Sequence, residues 1–215
     1  MSDDIVFVHG IWMPGGVMVY LKQHLEREHG FRGHLFSYAS IRGTLDENAA
    51  LLSDYIADLG GETVHLVGHS LGGVVSLRML AQNDATPRGR VVCLGSPLCG
   101  CLAATSLSRR GWGVPMLGKA LVSGVLEEAA SSWAARVTAE REIGIIAGTR
   151  AMGLGRLVTK FDEDCDGTVS VSETRLPGAK DHLAMSVTHM GMVMSRAVAD
   201  QTAAFLRRGE FLREV

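Results

Sequence analysis

Apolar and polar positions along this chain switch between two periods, and each switch marks an element. Ile5-Val6-Phe7-Val8 is an unbroken apolar run, the pattern of a buried strand, and it ends at His9-Gly10-Ile11-Trp12. From Gly16 to His29 the apolar residues Val17, Leu21 and Leu25 recur at helical spacing until Gly30 stops them. A second strand is expected over roughly Gly33 to Ala39. Thr44-Leu45-Asp46-Glu47 has the spacing of a capping box, and Leu45, Ala49, Leu52, Ile56 and Leu59 then share one helix face as far as Gly60-Gly61. The strand expected over Thr63–Val67 runs into a helix over Leu71–Gln82, with Val74, Val75, Leu77 and Met79 available for burial. Arg90–Leu94 reads as a strand ending in Gly95-Ser96-Pro97. Between Leu98 and Arg141 the pattern is mixed, a Gly-rich stretch preceding a helix predicted over Glu127–Glu142. Ile143–Ala147 is a further strand, Thr168–Arg175 alternates like one, and Leu183–Val187 is a short candidate. His189–Arg208 has the spacing of a long helix through Met190, Val193, Met194, Ala197, Val198, Gln201 and Phe205.

Strands alternating with helices predict an α/β fold, a mostly parallel sheet of about six strands with helices on both faces. In such sheets ligands bind beyond the carboxyl ends of the strands. His9-Gly10, Gly68-His69-Ser70 and Gly95-Ser96 all stand at such ends, so one crevice can collect them.

At 215 residues the chain fits a single domain, 1–215, within which 98–141 is the segment long enough to act as a partial cap or lid. With 47% hydrophobic and 20% charged residues the composition is that of an ordinary globular protein. The formal net charge of −2 gives no global field that would recommend nucleic acid or an anionic membrane as a partner, and protein partners are unspecified. Met1-Ser2-Asp3-Asp4 is acidic and the apolar run behind it is too short for a signal-peptide core, and no stretch has the apolar length of a transmembrane helix. A cytoplasmic location is therefore expected. Cys93, Cys99, Cys101 and Cys165 lack zinc-site spacing and are expected as free thiols, with Cys99 and Cys101 as small buried hydrophobes.

The stretch with chemistry is Val64-His65-Leu66-Val67-Gly68-His69-Ser70-Leu71-Gly72-Gly73. Strand, tight turn and helix follow one another, and glycines two before and two after Ser70 let the backbone pass close on both sides. The hydroxyl then stands at the strand's end. The first N–H groups of the following helix lack intrahelical partners, so Leu71 N–H can stabilise an oxyanion. Through G-x-S-x-G in this context the sequence resembles the α/β-hydrolase superfamily, its small bacterial lipases and esterases in particular.

The resemblance implies a Ser, acid, His order along the chain. His182 and His189 are the histidines that follow a suitable acid after Ser70. His189, in Ser-Val-Thr-His-Met-Gly-Met just before the final helix, matches the lipase base, and His182 reads as structural or solvated. Asp166, in Cys165-Asp166-Gly167-Thr168, matches the acid loop, with Asp162 and Asp164 as neighbours that a small loop shift could substitute. The family's His-Gly pattern implies a second oxyanion donor at Ile11 N–H, with Trp12 as the alternative, and His9 shaping that loop. Trp12, Met13, Leu71 and Met190 are apolar neighbours of these positions, able to line an acyl pocket or to serve the core. The implied activity is hydrolysis of carboxylic esters, small or lipid, through an acyl-enzyme, with no cofactor required. A thioesterase, amidase or acyltransferase on the same scaffold is the alternative.

A second motif overlaps the acid loop. Asp162, Asp164, Asp166, Gly167 and Glu173 satisfy the EF-hand pattern D-x-[DN]-x-[DN]-G-x₅-E, which would make this a calcium-binding module. An EF-hand continues into a helix, whereas Thr174-Arg175-Leu176-Pro177-Gly178 breaks one. The loop is therefore read as an acidic turn and no metal is expected.

Overall fold

The computed structural model describes residues 3–83, 86–109, 118–152 and 162–213. Its elements are β1 (Asp4–Val8), a 3-10 turn (Gly15–Met18) leading into α1 (Val19–His29), β2 (Arg32–Phe36), α2 (Leu45–Leu59), β3 (Val64–His69), α3 (Leu71–Gln82), β4 (Val91–Leu94), α4 (Leu102–Ser108), α5 (Ala130–Trp133), α6 (Ala135–Glu140), β5 (Ile143–Gly148), β6 (Asp181–Met185) and α7 (Arg196–Arg208). The six strands form one sheet in the order β2-β1-β3-β4-β5-β6, and every pairing is parallel. The expected α/β architecture is thus the observed one.

Each central strand is apolar on both sides because each side meets a helix layer. Val6 and Val8 of β1, Val91 and Cys93 of β4, and Ile143 and Ile145 of β5 pack with α2 and α3 in one core. Ile5 and Phe7, Val92 and Leu94, and Ile146 pack with Leu21 and Leu25 of α1 and Phe205 of α7 in the other. A fully buried side chain of this size contributes about 1.5–3 kcal/mol relative to exposure, so the alternation fixes which strand face each helix covers.

The local signals at α1 and α2 correspond to observed caps. Thr44 Oγ1 accepts from Glu47 N–H while the Glu47 carboxylate accepts from Thr44 N–H, and Gly30 and Gly60 close α1 and α2 in the left-handed conformation. Three patterns were misleading. The helix expected over Glu127–Glu142 is two short helices: Glu128 N–H closes the preceding π-helical turn (Val122–Glu127) on Ser123 O, Ala129 is extended, and Ala134 separates α5 from α6. The helix expected over His189–Arg208 starts at Arg196. Ser195 is extended and caps it by accepting from Val198 N–H, while Met192 and Val193 keep the apolar spacing from a separate 3-10 turn (Gly191–Met194).

Thr168–Arg175 is not a strand either. Its backbone is folded back on itself, with Asp166 N–H on Val169 O, Val171 N–H on Asp164 O, and a 3-10 turn over Ser172–Thr174. Cys99 is exposed rather than buried, although Cys101 is buried as expected.

The parts of segment 98–141 that are described join the main core: Ala103, Ala104 and Leu107 of α4, Val125, Ala130 and Val137 are buried with α2 and α3. Residues 110–117, part of the expected lid, lie outside the described residues. Among the described residues no helix is long and apolar enough to cross a membrane.

Candidate active site

Ser70 follows β3 directly and opens α3, with φ 54° and ψ −124°. Among the described residues, it and Trp12 (φ 58°) are the non-glycine residues with positive φ, and they follow the carboxyl ends of β3 and β1 respectively. Such a conformation costs roughly 1–3 kcal/mol and persists only where the surroundings enforce it. Here the enforcement is contact: a methyl group at Gly68 would lie 2.5 Å from Gly73 backbone, and one at Gly72 would lie 2.0 Å from Val8 O. The start of α3 is thereby pressed onto the ends of β3 and β1. Gly10, just before the Ile11 turn, borders Ser70, its missing methyl being 3.0 Å from the Ser70 Cβ.

Asp166 and His189 are brought together. His189 Nδ1 and Asp166 Oδ2 are 2.7 Å apart, and His189 N–H also donates to Asp166 O at 2.9 Å. Asp166 is fully buried, and its Oδ1 accepts the N–H groups of Thr168 and Val169, each at 2.8 Å, so the carboxylate is held from behind by its own loop. That arrangement can hold a neutral imidazole with its proton on Nδ1, leaving Nε2 free to take another. Among the described residues no hydrogen bond ends on Ser70 Oγ.

His69, the variable residue of G-x-S-x-G, was not singled out in the sequence, yet it bridges the two halves of the site. Its ring lies 4.7 Å from that of His189, and its Nε2 donates to His189 O at 2.9 Å, since a carbonyl can only accept. The ring is completely buried, and its pKa falls to about 3, chiefly through that burial and further through the neighbouring His189 charge. It therefore stays neutral and positions the backbone of His189. His9 is buried and stacked on Tyr38, with its pKa lowered by burial, and Tyr38 Oη donates to His9 O at 2.8 Å. This pair shapes the turn that carries Ile11.

Glu173 was also read only as a calcium ligand. Its buried carboxylate accepts Leu102 N–H and Ser170 N–H, and its carbonyl accepts Leu98 and Cys99 N–H at 2.8 Å, fastening the acid loop to the chain after β4. Burial raises its pKa. Asp162 and Asp164 are exposed, and among the described residues the loop carboxylates do not converge on a common point. His182 sits in β6, its Nε2 2.9 Å from Thr174 Oγ1, away from Ser70.

Of the apolar neighbours, Trp12 and Met190 are 48% and 43% exposed, Met13 is half-buried, and the Leu71 side chain is fully buried in the core. An open cavity of about 1160 Å³ lies between the start of α2 and residues 118–133, with Ile41, Arg42, Arg78, Lys119 and Trp133 among its walls, but not Ser70, Asp166 or His189.

A profile of the Alpha/beta hydrolase family matches residues 5–208. The chain belongs to that family. Among solved structures, this alpha/beta hydrolase is similar to the lipase BlEst2 of Bacillus licheniformis in its mature form, with TM-score 0.75 and 19% identity over 98% of this chain and 93% of that one. It is also similar to a thermophilic esterase from Thermogutta terrifontis, with TM-score 0.68 and 12% identity over 98% and 91% of the two chains. A Listeria innocua protein gives TM-score 0.67 at 14% identity over 100% and 96%. At these identities the likeness is one of fold. No match among curated proteins reaches significance.

Proposed function

We propose that this alpha/beta hydrolase is a serine carboxylic ester hydrolase, an esterase or lipase, working through an acyl-enzyme. The observations that carry the reading are the buried Asp166–His189 pair at 2.7 Å, its link through His69 to the strand–helix turn, and the positive φ of Ser70 on that turn. In this reading Ser70 Oγ forms a bond to the ester carbonyl carbon while its proton passes to His189 Nε2. The charge that develops on the carbonyl oxygen meets Leu71 N–H and Ile11 N–H, and Asp166 stabilises the imidazolium. His189 returns the proton to the leaving alkoxide as the C–O bond breaks. Water then repeats the sequence on the acyl-enzyme and frees the acid.

The chemistry needs no cofactor, and Trp12, Met13 and Met190 are the proposed apolar contacts for the acyl group. The chain acts as one domain, with 98–141 as its candidate partial cap. A small-molecule or lipid ester fits this set, and the similar folds of a lipase and an esterase agree with it.

The test is mass mapping after exposure to a fluorophosphonate. One adduct on Ser70, lost in His189→Ala, is expected. Folded protein left unmodified at Ser70 would overturn the reading. Rates on matched oxygen esters, thioesters and amides, expected to favour the oxygen ester, check the substrate class.

A further inference from the structure

Two histidines of α1 and one aspartate of α7 meet where these helices pack on each other. His24 Nε2 and His29 Nε2 each lie 2.9 Å from the same oxygen, Asp200 Oδ1. All three atoms fall within 4.8 Å of one another, and among the described residues this is the group of histidine, cysteine and acidic side chains so arranged. We propose that His24, His29 and Asp200 bind one divalent transition-metal ion of the zinc class, which clamps α7 to α1.

The donor chemistry selects the ion. Two imidazole nitrogens and one carboxylate oxygen are the donors of a three-ligand zinc site completed by water, whereas calcium and magnesium take oxygen donors. A tetrahedral ion with bonds of about 2.0–2.1 Å holds its ligands roughly 3.3 Å apart, so the 2.9 Å contacts open by only a few tenths of an ångström to admit it. Each imidazole would offer the ion its Nε2 lone pair and carry its N–H on Nδ1.

The rings are partly fixed in advance. Tyr20 stacks on His24, and Arg207 of α7 donates to the His29 carbonyl. The side chains of His24 and His29 are mostly buried and that of Asp200 is 37% exposed, which leaves a path from solvent. Arg196 Nε stands 3.7 Å from the other oxygen, Asp200 Oδ2, on a largely exposed side chain that leaves Oδ1 to the rings. The site is independent of the hydrolase reading, and it braces the helix that follows the His189 loop.

Tag-free full-length protein, stripped with chelator and exchanged into metal-free buffer, is titrated calorimetrically with Zn²⁺, and its thermal midpoint is read with and without the ion. One ion per chain at micromolar or tighter affinity is expected, with a rise in midpoint from ion bound only to the folded state. In His24→Gln and Asp200→Asn the affinity falls at least tenfold and the rise is lost; His29→Gln carries the same comparison if Asp200→Asn does not fold. Titration with Co²⁺ gives the intense visible bands of a tetrahedral site without thiolate charge transfer. No binding, unchanged affinity in the variants, or a thiolate band placing the ion on cysteine would overturn the proposal.

Discussion

Asp166 and Asp200 each hold histidine, and they are held in opposite ways. Two backbone N–H groups of its own loop grip one oxygen of Asp166, and the other meets a single ring, His189, in a fully buried setting. Asp200 stands more than a third exposed on a helix surface, and two rings share one of its oxygens. The first carboxylate is oriented by the backbone and so orients its histidine. The second is oriented by its histidines and joins two helices. Geometry alone would call both ion pairs; burial and the number of fixed partners separate a positioning device from a cross-link.

The largest test of that contrast removes the chemistry from one side. Ser70→Ala and Asp166→Asn are expected to lower kcat by about 10⁴-fold or more while leaving the fold intact, read by ester turnover and circular dichroism. Asp200→Asn, the same change of one atom, should leave turnover of metal-free protein within about twofold and cost under about 1 kcal/mol, as partly exposed pairs do. Equal effects at the two aspartates would erase the distinction.

An intermediate effect is expected at Glu173. Glu173→Gln leaves one of two backbone donors without its carboxylate partner, at a cost of about 1–3 kcal/mol in urea unfolding. Turnover should fall with it because the acid loop loosens. Loss of stability with unchanged kcat would detach Glu173 from the positioning of Asp166.

The smallest effect sharpens the role of His69. Its folded pKa, about 3, is depressed below the ordinary 6.5, so the unfolded chain binds a proton that the folded chain refuses. The stability this contributes is whole above pH 6.5 and is lost as pH falls towards 3, by up to about 1.4 kcal/mol per pH unit. His69→Gln keeps a donor for the His189 carbonyl while removing the titration. It should retain activity within about tenfold and show a shallower acid slope of unfolding free energy; an unchanged slope would mean that His69 does not carry the proton linkage.

The helices α2 and α3 were legible because their signals are local: a capping box, a closing glycine, an apolar stripe. The breaks at Ala134 and Ser195 were not, since the apolar spacing runs on across them and only the backbone conformation changes. Val169 and Val171 alternate like a strand, but Asp166 and Glu173 take the N–H groups that a strand would have offered a neighbour. The positions that His69 and Glu173 hold in the site are illegible for one reason. Each acts on the backbone of a residue distant in the chain, and no motif spacing records such a partner. The meeting of His24, His29 and Asp200 likewise depends on how α1 lies against α7.

Sheet order also bears on how the molecule responds to heat. The serine rides on β3, wholly buried between β1 and β4, whereas His189 follows β6, the half-buried strand at the sheet's edge. Edge elements open at lower free energy than central ones. Warming should therefore part the base from the nucleophile while the middle of the sheet still stands, and activity should fade reversibly some degrees before the far-ultraviolet signal does.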